Sequence, residues 1–158
     1  MTVNEKNIML FFRVLAPELR EIETRIKMLE DDYESVGGID YSAPRVKSSF
    51  EVSSTEAIGS RAADESTAEK IRELRLRAAS MRLAAAALLR IFAELPEPDG
   101  GILRARLADG VKWDDIAEDF SRSKRSCQYI YSARIREVVE RAGRSGVISS
   151  AFARVRYN

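Results

Sequence analysis

Acid–base and nucleophilic chemistry finds few footholds in this sequence. There is no histidine among its 158 residues. Ser-His and Cys-His catalysis are therefore excluded, because both need an imidazole to take the nucleophile's proton. The single cysteine, Cys127, falls on the inward side of a helical pattern and reads as a small core residue, not a nucleophile. Asp114, Asp115, Glu118 and Asp119 invite a metal ion. No histidine or cysteine stands beside them, and a hard-cation loop needs a different spacing with glycine. Two acids at the start of a helix are instead favoured by its dipole. No glycine loop that could cradle a phosphate occurs, so neither metal nor cofactor is expected. What remains is a run of cations and hydrogen-bonding side chains: Arg122, Ser123, Lys124, Arg125, Ser126, Gln128, Tyr129 and Ser132. Side chains of these types can hydrogen-bond to phosphates and base edges.

Charge agrees with that chemistry. The chain total is +1, but residues 120–158 hold nine Lys or Arg against Glu137 and Glu140, a local excess of +7, so the first 119 residues sum to −6. A basic third on an acidic remainder implies a polyanion bound at one end. A basic run is often only a solvated face; here it coincides with a helix pattern able to present it.

That pattern runs from Leu103 to Val139 and holds three short helical stretches. Leu103 and Leu107 anchor the first, and Gly110 ends it. Trp113, Ile116, Ala117 and Phe120 form the apolar side of the second; Cys127, Ile130, Tyr131 and Val138 form that of the third. Spacings of three, four and seven put each set on one helix face. The polar turn Ser121-Arg122-Ser123 separates the last two. This is the layout of a helix-turn-helix, whose final helix is presented to a DNA groove.

Trp113-Asp114-Asp115-Ile116-Ala117-Glu118, followed by Phe120, Ser123, Ile130 and Ile135, resembles region 4 of the sigma-70 factors. The resemblance implies that Ser123 caps a recognition helix over residues 123–138. It also implies that Lys124, Arg125, Gln128 and Tyr129 read or grip DNA. Arg122, Ser123 and Ser126 would then hold phosphates. The whole arrangement, heptad helix, Ser/Pro/Gly segment, second helix and this module, resembles the RinA/ArpU-type phage transcriptional regulators. The chain departs from the pattern at Lys112, where a capping Thr or Ser is usual, and at Arg134, where a small residue is usual. Gly100-Gly101 also weakens the start of the first helix.

The positioning elements upstream are long helices. Ile8, Phe12, Leu15, Leu19, Ile22, Ile26, Leu29, Tyr33 and Val36 step alternately by four and three, the seam of a helix paired with another helix. Pro17 interrupts it, which predicts a kink or a fresh start there and a long helix over about residues 17–36. Residues 37–65 lose any period and read as a loop or partly disordered linker. Ser66-Thr67-Ala68-Glu69 has the form of a capping box. Ile71, Leu74, Ala78, Met81, Ala85, Leu88, Phe92 and Leu95 then form a second seam, ended by Pro96 and Pro98. The tail after Gly143 offers Val147, Ile148, Ala151, Phe152 and Val155 for a short amphipathic helix, with a frayed terminus as the alternative.

These readings define an all-α chain: a heptad helix over 1–36, a linker over 37–65, a second long helix over 66–95, the helix-turn-helix over 98–142 and a basic tail over 143–158. The two long helices pair either as an antiparallel hairpin or between two chains as a homodimer. No apolar run reaches the roughly 18 residues needed to span a bilayer, so no membrane partner is expected. One cysteine and no evident signal peptide fit a reducing cytoplasm. The expected partner is double-stranded DNA, read for transcriptional control, with RNA polymerase as a second candidate. A small terminase subunit, or a sigma-like module that binds polymerase and not DNA, are the competing readings.

Overall fold

The computed structural model describes residues 2–37 and 54–154, with side chains over 2–32 and 64–154. Among the described residues every regular element is a helix: α1 (Glu5–Gly37), α2 (Ser54–Ala93), α3 (Asp99–Leu107), α4 (Trp113–Asp119), α5 (Lys124–Arg144) and α6 (Gly146–Arg154). The all-α class read from the periodicity holds. The chain divides into two units. The first joins residues 1–19 to 77–158, and the second is 20–76.

Helix α1 starts earlier than Pro17, and the proline does not divide it. Asn4 supplies the start: its side-chain oxygen accepts from the Asn7 amide at 2.8 Å, and its carbonyl accepts from the Ile8 amide at 3.0 Å. That is an N-cap, worth about 1 kcal/mol. Arg13 and Pro17 are both exposed, so the carbonyl that the proline leaves without a donor can be met by water. Burial of Ile8, Phe11 and Ile22 on either side of Pro17 offsets its cost of about 3 kcal/mol.

Helix α2 corrects the linker boundary. It begins at Ser54, so residues 54–65 are helical and Ser66–Glu69 lies inside the helix, not at its start. Residues 54–65 contain Glu56, Ala57, Ala62 and Ala63 and no proline, so nothing stops the backbone from winding. The apolar period disappears there because it reports a packed face, not the helix itself. The remainder of the expected linker, residues 38–53, lies outside the described residues.

In the first unit the two long helices run antiparallel: Phe12 meets Phe92 with ring centroids 6.4 Å apart, and Glu18 pairs with Arg77. Ala78, Met81, Ala84, Ala85, Leu88, Phe92 and Leu95 are buried, close to the second seam as read. In the second unit Glu30 pairs with Arg75 at 2.6 Å, and Ile22 is buried.

Two glycines at the head of α3 have a packing role. A Cβ on Gly100 would stand 2.1 Å from the Phe92 carbonyl oxygen, and one on Gly101 would stand 2.8 Å from the Phe120 ring. The loss of helix propensity is thus exchanged for close approach of α3 to the end of α2 and to Phe120. Gly110, at φ +67°, ends the stretch in the left-handed region where glycine is unstrained.

Gly146–Arg154 of the tail forms a helix. Ile148, Ala151 and Phe152 of α6 are buried, and the Phe152 ring lies 5.0 Å from that of Phe11. Val147, expected on the apolar side, is instead exposed, and Val155 lies outside the described residues.

Candidate nucleic-acid interface

Helices α3, α4 and α5 close over Ile102, Ile116 and Cys127, all fully buried. Ala105, Val111, Trp113, Phe120 and Ile130 pack around them. Cys127 is therefore a core residue with no access to solvent. The shared core fixes which way α5 turns. Cys127, Tyr131, Val138 and Ala142 face inward. Arg125, Gln128, Tyr129, Ser132 and Arg136 are exposed, and their spacing places them together on the opposite face. Tyr129 is 76% exposed, so this large aromatic contributes almost nothing to the core.

Tyr131 locks that rotation. Its ring meets Trp113 edge-on at 5.3 Å, and its hydroxyl donates to the Glu5 carboxylate at 2.7 Å. Burial, and then the hydrogen bond to Glu5, push the phenol well above its ordinary value. The Arg106 guanidinium lies 5.0 Å over Trp113 and donates to the Val111 carbonyl at 3.1 Å.

The turn from Phe120 to Ser123 is held by its own backbone. The Ser121 amide donates to the Glu118 carbonyl at 3.0 Å and the Arg122 amide to Ala117 at 2.9 Å. Ser121 takes φ +49°, unusual for a residue with a Cβ. Ser123 then caps α5, its hydroxyl accepting from the Ser126 amide at 3.2 Å. Arg122 and Arg125, at this end of α5, are exposed, and a helix N-terminus adds partial positive charge of its own. Helix α5 continues to Arg144, six residues past the 138 expected, because Val138 and Ala142 keep its inward face buried.

The structure separates the cations that the sequence grouped. Lys124 Nζ sits 2.9 Å from the Asp114 carboxylate. Arg134 donates to Asp99 at 2.7 Å and pairs with Glu137 at 3.3 Å, tying α5 to the head of α3. Arg141 pairs with Glu137 and Glu94, and Arg144 with Glu140. Arg122, Arg125 and Arg136 are exposed and have no acidic partner among the described residues. Arg136 extends the stripe of Arg125, Tyr129 and Ser132 by a further four residues; its place at i+11 from Arg125 is the signal that would have found it. The Ser132 hydroxyl donates to the Gln128 carbonyl at 2.9 Å, so outward it can only accept. Ser126 is half-buried under the cap.

Beside this stripe, α4 presents the opposite sign: Asp114, Asp115, Glu118 and Asp119 are all exposed. Among the described residues no group of three His, Cys, Asp or Glu side chains is placed to hold a metal ion. No described helix is long and apolar enough to cross a membrane. No protein-family model matches the chain, and neither a curated protein nor a solved structure is found to be similar to it.

Proposed function

We propose that the protein binds double-stranded DNA sequence-specifically and regulates transcription, as the resemblance to sigma region 4 and to the RinA/ArpU-type phage regulators implies. The observation that carries this reading is the outward stripe of α5. Arg125, Gln128, Tyr129, Ser132 and Arg136 are exposed on one face, and residues 122–136 contain no acid. In this reading α4-turn-α5 is a helix-turn-helix and the first turns of α5 enter the major groove. Arg125 pairs with guanine and Gln128 with adenine, while Tyr129 lies against the bases or the sugar edge. Arg122, Arg136 and the capped N-terminus hold phosphates, with Ser123 and Ser126 setting that first turn. Lys124 reaches DNA only by leaving Asp114, so its contribution is smaller than that of Arg125.

The long helices serve to join two copies and so set the spacing of two half-sites. Leu83 of α2 is 61% exposed, which supports a homodimer through that helix. One observation favours a second reading. The acidic outer side of α4 repels phosphate and suits a basic protein surface, as a module that binds RNA polymerase would have. Titration of random-sequence duplexes at two salt concentrations, beside a pull-down of core RNA polymerase, separates the two. Salt-sensitive duplex binding supports the DNA reading. Retained polymerase binding with no duplex binding at low salt replaces it with the second.

A further inference from the structure

We propose that a cavity between the start of α1 and the end of α3 is a binding site for a small amphiphilic carboxylate. The cavity measures about 520 Å³, within the usual range for small-molecule sites. Met9, Phe12 and Leu107 give it apolar walls, and Lys6, Arg13 and Arg106 line it with three cations. Lys6 and Arg13 stand one heptad apart on α1, are exposed, and have no acidic partner among the described residues. The one acid in the lining, Asp109, faces Arg104 at 3.7 Å and so is partly neutralised. Apolar walls with an unbalanced positive rim select a ligand with an apolar body and one anionic end. Neither a bare anion nor a neutral hydrocarbon satisfies both parts.

Arg106 connects this cavity to the rest of the unit. Its guanidinium lies over Trp113, which meets Tyr131 on α5. A carboxylate drawn to Arg106 therefore changes the surroundings of the chain's single tryptophan. The site stands independently of any DNA activity, and its test uses none.

The full-length protein is titrated with octanoate, with 1-octanol and acetate as controls, by calorimetry and by tryptophan fluorescence. Octanoate is expected to bind saturably with a Kd below about 1 mM, to shift Trp113 emission, and to bind more tightly than either control. Lys6→Gln with Arg13→Gln removes two exposed cations, and should weaken octanoate roughly five- to tenfold while leaving octanol unchanged. Arg13→Gln alone should give part of that loss, and circular dichroism checks that both variants keep their helices. The proposal is overturned by no saturation by octanoate, by equal affinity for octanol, or by an unchanged affinity in the double variant. Calorimetric binding with no change in Trp113 emission places the ligand elsewhere and overturns it equally.

Discussion

Replacing Gly100 and Gly143 by alanine should change stability in opposite directions, although both lie in helices. In an average helix interior, Gly→Ala stabilises by about 1 kcal/mol. At Gly143, in the last turn of α5, an added Cβ meets nothing within 4 Å, so a gain of about 0.5–1 kcal/mol is expected. At Gly100 the same atom would stand 2.1 Å from the Phe92 oxygen and 3.2 Å from its carbonyl carbon. The obstacle is backbone, and the neighbours Phe92, Ile102 and Leu103 are almost fully buried, so no flexible side chain can yield. Overpacking of this kind costs about 3 kcal/mol. Net of the propensity gain, Gly100→Ala should lose about 2 kcal/mol. Urea denaturation followed by far-UV circular dichroism, at one protein concentration, gives both values. If Gly100→Ala matches the wild type or exceeds it, the junction of α2 and α3 is not packed as described.

Other consequences follow from the same contacts. Phe152→Ala empties a fully buried site against Phe11 and should cost about 3–5 kcal/mol in urea denaturation; a loss under about 1 kcal/mol would mean that α6 is not docked. Tyr131→Phe removes the hydrogen bond to Glu5 and should cost about 1 kcal/mol at neutral pH. The raised phenol gives that change a pH signature. Folding holds the proton on Tyr131, so the stabilisation is complete below the ordinary tyrosine value of 10.0 and declines as pH rises above it. The gap between wild type and Tyr131→Phe should be constant up to about pH 9 and shrink beyond pH 10. A gap that widens with alkalinity contradicts the sign.

Local spacing carried much of this architecture. Ile116, Cys127 and Val138 are buried where their steps of three, four and seven put them, and Ser123 caps the helix that follows the turn. Contacts between distant residues were not legible. Tyr131 and Glu5 are 126 positions apart, and neither residue announces the other. Gly100 reads as a weak helix start until the Phe92 carbonyl is seen beside it. Arg134 counts as a free charge in any sum, yet Asp99 holds it to α3. Residues 54–65 lack an apolar stripe, so their helix had no periodic signal. The candidate site was read as a cluster of neighbours in sequence. Of those neighbours, Arg125, Gln128, Tyr129 and Ser132 share one exposed face with Arg136 over successive turns of α5, while Lys124 is drawn aside to Asp114.

The most direct test of the central claim is selection from random duplexes by wild type, Arg125→Ala, Gln128→Ala and Arg122→Ala, with each selected pool titrated at two salt concentrations. Loss of a base contact costs about 1–3 kcal/mol and relaxes one position of the site. Arg125→Ala and Gln128→Ala should therefore select altered sequences. Arg122→Ala should select the wild-type sequence more weakly, with a salt slope lower by about one. If Arg125→Ala and Gln128→Ala select the wild-type sequences with wild-type affinity, α5 does not read DNA.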